Sequence, residues 1–252
     1  MFLQRISING EMVSMESFRR IPALGHAIER QFFIYGLNKI RDFPQYNFIH
    51  ISFYNCKIDE KDYFSFDNYL KELFVRQEFD DNYFLTLSGY SQLKYIANNT
   101  YIALNKIFIR DNLPVDILNK AYEKIIDNDY YMIWSTKWIK GVHINLLHRY
   151  EYDREIFKIE IIKKKQVIFS RILFIQSPMK YTNDISELGG KQRAILSYSS
   201  EFIEPNIFRI KIAHKEYNFI LDTFQIEVVE HNELKNEFFD WECIHDGVMF
   251  QS

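Results

Sequence analysis

The side chains that could do chemistry are scattered, so each grouping has to be weighed by its spacing. His143 and His148 stand five apart in GVHINLLHRY. On a strand an odd separation sends them to opposite faces, and on a helix it turns them about 140° apart, so they make a poor chelate. Cys243, His245 and Asp246 in WECIHDG are closer. A thiol and an imidazole two apart on a strand share a face, and such a pair can make a nucleophile. Asp246-Gly247, however, is a turn dipeptide, and the segment reads as a buried cysteine followed by a tight turn.

A nuclease of the PD-(D/E)xK type needs Glu and Lys two apart on a strand, behind an upstream carboxylate, to hold Mg²⁺ and orient water. Asp153 or Glu155 could supply that carboxylate, but Glu160 and Lys163 are three apart, which places them on opposite faces. Ser197-Tyr198-Ser199 resembles the Ser-x-Ser step of ADP-ribosyltransferases. The Glu-x-Glu that would do the catalysis is missing, because Glu227 and Glu230 are three apart. Gly189-Gly190-Lys191 could offer backbone N–H groups and a cation to a phosphate, although it reads as a plain loop between strands. Walker A, GxGxxG, GxSxG, HExxH, EF-hand and paired CxxC motifs are absent from the sequence. The sequence assigns no catalytic residue, no metal ligands and no cofactor.

Charge is less evenly spread than chemistry. From Lys158 to Arg193 there are eight basic and three acidic residues, a balance of +5. From Glu216 to Asp246 nine acidic residues face Lys235 alone, a balance of −8. A second acidic stretch, Asp59 to Asp81, sets eight carboxylates against Lys61, Lys71 and Arg76 and is interleaved with Tyr63 and Phe64. Segregated charge steers partners over distance. The expected protein-binding segment is ELKNEFFDWE, with Glu233, Glu237, Phe238, Phe239, Asp240, Trp241 and Glu242 as contacts. A basic partner fits it by charge. The alternative is a nucleic-acid binder or divergent nuclease using Lys163, Lys164, Lys165, Arg171 and Lys191. Lysines at a strand edge also discourage aggregation, and charges of opposite sign can simply pair within the fold.

The elements that must carry these residues follow from periodicity. Ile6-Ser7-Ile8 and Met12 to Met15 flank Asn9-Gly10, the preferred type I′ turn, which predicts an N-terminal β-hairpin. Pro22 suits the first turn of a helix within 17–41, and residues 48–53 read as a strand. Apolar stripes predict helices over 61–76, 91–109 and onward from Pro114. Past residue 129 the period falls towards two. Strands are expected at 156–162 and 167–175, joined by Lys163 to Gln166, and again at 194–203, 206–213, 217–229, 241–244 and 248–251. Phe208, Ile210 and Ile212 alternate with Arg209 and Lys211, as in an antiparallel strand covered on one side. The expected class is α+β: a mostly helical N-terminal half (1–128) with its hairpin, packed on a mostly antiparallel C-terminal half (129–252). Asp127-Asn128-Asp129 reads as a turn rather than a linker.

At 252 residues the chain can bury a core without staples. A net charge of −3 is too small to imply a nucleic-acid or membrane partner for the whole chain. Cys56 and Cys243 are too few for a secreted disulfide scaffold, MFLQRISINGEMVS lacks a signal-peptide core, and the longest apolar stretches are far short of a membrane helix. A cytoplasmic location is expected. Aromatics make up 17% of the chain, and Phe, Tyr, Ile, Asn and Lys all have A/T-rich codons, so this richness points to an AT-rich bacterial or phage source before it points to a binding surface. By class rather than by resemblance, a compact α+β chain of this kind without a motif suits an immunity-type protein that neutralises a cognate toxin.

Overall fold

The alternation that begins at Arg5 does not stop at Asn9-Gly10. In the computed structural model, Ile6, Ile8 and Gly10 are buried while Arg5, Asn9 and Glu11 are exposed, which makes one strand, β1 (Arg5–Glu11). The structure describes residues 3–40, 43, 46–139, 141–176, 198–204, 206–212, 215–223, 225–230 and 243–244. The expected N-terminal hairpin is corrected: β1 pairs in parallel with β2 (Phe48–Tyr54), and helix α1 (Met15–Tyr35) connects them. Gly10 serves close packing rather than a turn. A Cβ there would meet Val13 Cγ2 at 2.8 Å and Ile21 Cδ1 at 2.9 Å.

Helix α1 starts at its cap. The Ser14 hydroxyl accepts from the Ser17 N–H at 3.3 Å, and the Ser14 carbonyl accepts from the Phe18 N–H at 2.9 Å. Pro22 therefore lies inside the helix, a full turn past where it was expected. It takes away the donor that the Phe18 carbonyl would otherwise have. Pro22→Ala is expected to raise stability by about 1–2 kcal/mol, the helix-interior cost of proline less its effect on the unfolded chain. Urea unfolding checks this, and an unchanged or lower midpoint would count against a strained helix.

The helix expected over 61–76 is also corrected. Residues 64–78 form two antiparallel strands, β3 (Phe64–Asp67) and β4 (Glu72–Glu78). Asp67 breaks the run by accepting from the N–H groups of Tyr69 and Leu70 at 2.8 and 2.9 Å, and Lys71 turns the chain at φ 59°. β4 pairs in parallel with β2, so the first sheet has the order β1-β2-β4-β3 and is mixed.

Helices α3 (Gly89–Arg110) and α4 (Val115–Asp127) follow the expected stripes, α1 falls largely within the expected 17–41, and the short α2 (Asp81–Thr86) was not expected. α1 lies on β1 and α3 on β4, with α4 against both helices. Their shared core includes Ile8, Leu24, Ile28, Ile49, Val75, Ile96, Leu104 and Ile125. After α4 the chain passes through Asp129 and Tyr130 at φ 51° and 61°, where Gln31 Nε2 donates to the Tyr130 carbonyl at 3.1 Å. An antiparallel meander follows: β5 (Met132–Ile139), β6 (Val142–Glu151), β7 (Arg154–Lys163) and β8 (Gln166–Gln176). The expected 156–175 hairpin is β7–β8.

Contacts divide the chain into two compact units, Met1–Pro178 with His245–Ser252, and Met179–Ile244. The change of period near residue 129 falls inside the first. The second holds the antiparallel strands β9 (Tyr198–Glu204), β10 (Ile207–Ile212), β11 (Lys215–Ile220) and β12 (Gln225–Glu230), and a two-residue strand, β13 (Cys243–Ile244). Phe208 and Ile210 stand opposite Phe219 and Tyr217 in one buried layer. On the other side Arg209 reaches Glu216 at 2.6 Å and Lys211 reaches Glu201 at 3.4 Å, so charges of opposite sign pair there.

Candidate functional site

Parallel register brings together polar side chains far apart in sequence. On the sheet face away from the helices, Ser7 stands beside His50, and His50 beside Phe74. Ser7 Oγ is 2.7 Å from His50 Nδ1, and Glu72 Oε2 is 3.2 Å from His50 Nε2. The imidazole stacks on Phe74 with ring centres 4.7 Å apart. Hydroxyl, imidazole and carboxylate thus lie in the order of a nucleophile relay. The parts around them do not complete one. Glu72 is at ion-pair distance but off the line of a hydrogen bond to Nε2. β1 is laddered to β2, and the Ile8 N–H donates to Glu29 Oε1 at 2.5 Å. The Ile8 N–H, next to Ser7, is thereby taken by a side chain. The line fixes His50 on the sheet.

A second grouping lies at the carboxyl ends of the parallel strands. Asn55, Cys56, Lys57, Glu78, Phe79 and Asp80 line an open crevice of about 410 Å³. Ligands of open parallel sheets sit at such ends where strand order reverses, but β1, β2 and β4 follow one another in a single direction. Several of its polar side chains already hold the loops. Glu78 accepts from the Ile58 N–H at 3.0 Å, Asp80 from the Tyr83 N–H at 2.8 Å, and Asn55 from the Asp81 N–H at 3.3 Å. Asp81 in turn accepts from the Ser14 N–H at 2.8 Å, tying α2 to the start of α1. Cys56 is an exposed free thiol. Around this corner, Met12, Met15 and Phe18 are 74%, 68% and 54% exposed.

The third grouping is a lock. Glu151, fully buried, receives Arg149 Nε at 2.8 Å and Arg154 Nε at 2.6 Å. Arg149 also bonds Asp129 and lies over the Tyr90 and Tyr131 rings at 4.6 and 4.7 Å. Burial, with help from the nearby Tyr122 and Asp129, pushes the Tyr130 phenol up to about 12. These groups join β6, the β6–β7 turn and the end of α4.

The residues singled out in the sequence fare unequally. Lys163, Lys164 and Lys165 are exposed at the β7–β8 turn. Arg171 stands opposite Ile159 on β8, and Lys191 lies outside the described residues. The expected partner contacts Glu233, Glu237, Phe238, Phe239, Asp240, Trp241 and Glu242 also lie outside them, as do His245, Asp246, Ser197 and Gly189 to Lys191. His143 contacts Trp138, and His148 is buried with Glu155 at 3.7 Å. Tyr63 and Phe64 are occupied rather than free, with Lys106 and Arg110 over their rings at 3.9 and 4.4 Å. Among the described residues no group of three His, Cys, Asp or Glu could hold a metal ion, and no described helix is long and apolar enough to cross a membrane.

Compared with protein families, with curated proteins and with solved structures, the chain matches none. Function has to be argued from the chain's own surface.

Proposed function

We propose that the chain is a non-catalytic protein-binding module that meets a basic partner, in the manner of an immunity-type protein covering the toxin it neutralises. The observation that supports this reading is the corner formed by Met12, Met15 and Phe18. Three large apolar side chains stand in solvent within seven residues, two of them on adjacent turns of α1. Burying such a side chain fully is worth about 1.5–3 kcal/mol, and methionine adapts its shape to a partner. Two exposed carboxylates, Glu11 and Glu16, flank the corner along the chain, Glu16 pairing with Arg20, and the exposed Arg19 stands next to Phe18; Asp81, bonded to Ser14, is buried. An apolar centre with a charged rim gives contact area and polar partners at its edge, and the acidic 233–242 sequence supplies the charge that suits a basic partner. The 233–242 segment, with its own acidic and aromatic residues, is a second arm of the same reading.

The test begins with capture of a stoichiometric partner from the source lysate at low and high salt, followed by calorimetry on the purified pair. Met15→Ala with Phe18→Ala is expected to weaken binding by about 2 kcal/mol or more, the range of interface hot spots. Glu237→Lys with Trp241→Ala probes the second arm. Both substitutions at the corner are on exposed side chains, so the melting temperature should stay put. If neither pair of changes moves the affinity by about 1 kcal/mol, this surface is not the interface.

A further inference from the structure

The β5–β6 and β7–β8 turns close the same end of the meander, and the side chains there form a pattern of their own. Trp138 stands opposite His143, His143 opposite Ile162, and Ile162 opposite Val167. Directly opposed residues share a face, so these four make one row across four strands, about 14 Å long at ordinary strand spacing. Trp138 is 71% exposed and Val167 is 55% exposed. The Trp138 and His143 rings touch. Three exposed lysines gather at the end of the row, Lys164 and Lys165 in the turn itself and Lys163 on the opposite face of β7. The nearest carboxylate along β7, Glu160, is engaged by Lys158 at 2.7 Å.

Two facts set these lysines apart from ordinary solvated charge. Lys164 and Lys165 have φ of 49° and 67°, the left-handed region that a two-residue turn of this kind fills most easily with Asn-Gly. A lysine there costs roughly 1–2 kcal/mol, so the backbone gains nothing from its presence. Nor do they guard a sheet edge. β7 has β6 on one side and β8 on the other, and Lys164 and Lys165 lie in the turn. What the positions gain from lysine is its charge.

We infer that this end of the meander binds single-stranded nucleic acid, with Trp138 stacking on a base and the lysines meeting phosphates. A ring on a sheet face beside a run of cations is how single strands are held without sequence preference. A bilayer approached from this end would meet the lysines ahead of the apolar row, which is the wrong order for insertion, so an anionic membrane suits the site less well. This site shares no residue with the Met12, Met15 and Phe18 corner, and either can fail without the other.

Fluorescence anisotropy of labelled oligouridine and oligodeoxythymidine with the full chain tests the inference. Binding to at least one is expected, falling steeply with salt. Lys163→Gln with Lys164→Gln and Lys165→Gln should lower affinity at least tenfold and flatten the salt dependence. Trp138→Ala should lower it roughly tenfold and leave the salt dependence unchanged. Lys120→Gln with Lys124→Gln, on α4, should keep wild-type affinity. The inference is overturned if neither oligonucleotide binds, or if the α4 variant loses as much as the tip variant. Tighter binding to phosphatidylserine vesicles than to either oligonucleotide overturns it as well.

Discussion

Removing the Glu151 carboxylate, as in Glu151→Ala, is expected to cost about 3–5 kcal/mol of folding stability, enough to threaten folding in a chain of ordinary stability. The argument rests on what is left behind. Glu151 is fully buried and takes one hydrogen bond on each carboxylate oxygen, from Arg149 and from Arg154. Arg154 is half in solvent and can turn outward. Arg149 cannot do so as easily, since its side chain is 11% exposed and lies between two tyrosine rings. It keeps Asp129, which places the loss towards the lower end of the range. Glu151→Gln retains the shape and an acceptor and should cost less, and the Glu151→Ala/Arg149→Ala pair should cost less than the sum of its parts. Guanidinium unfolding of the four proteins measures this. A loss below about 1 kcal/mol for Glu151→Ala would show that the buried pair contributes little beyond what its desolvation takes away.

The second large effect is at Gly25. A Cβ on this residue would stand 2.8 Å from Ile8 Cβ and 3.1 Å from Ile8 Cγ2, both on a strand that cannot retreat without leaving β2. Gly25→Ala gains helix propensity of about 1 kcal/mol yet is expected to lose about 1–3 kcal/mol net, and Gly25→Val more than 3. Ile8→Ala alone should also destabilise, by leaving a cavity. Combined with Gly25→Ala, it should be slightly less damaging than the two single losses added together, because it removes the Ile8 Cγ2 contact while the closer one at Cβ stays. Additive losses would mean that α1 shifts on β1 to absorb the methyl group, and that the close approach does not fix the helix.

How far the sequence could be read follows from the range of the interactions. The helices α3 and α4 and the β7–β8 hairpin are legible because their signals are local: stripes of three and four, a proline at the start, and a short charged turn between two alternating runs. β1 was not, because a local turn dipeptide, Asn9-Gly10, competes with a parallel partner some 40 residues away, and the partner wins. The same error hid the Ser7–His50–Glu72 line, which exists only once β1, β2 and β4 are set side by side. Residues 61–76 were misread because Phe66 and Leu73 belong to different strands, and the apolar spacing between them mimics a helix. The Asx turn at Asp67 was the available signal against that reading. The Met12, Met15 and Phe18 corner was invisible for another reason. An apolar residue near a helix start is normally taken as core, and only the observed burial shows that it is not.

The parallel pairing of β1 has a consequence for synthesis. The contacts of β1 and α1 reach forward: Ser7 to His50, Ser14 to Asp81, and Gln31 to Tyr130, separated by 43, 67 and 99 residues. At ordinary elongation rates of about 5–20 residues per second, the last of these waits roughly 5–20 s after Gln31 is made. Until β2 is made the first strand has an apolar face and no neighbour, whereas a hairpin would have closed within microseconds of its synthesis. While the chain is being made, β1 thus depends on what surrounds it at the ribosome, although in the finished fold its Ile6 and Ile8 are buried in the core.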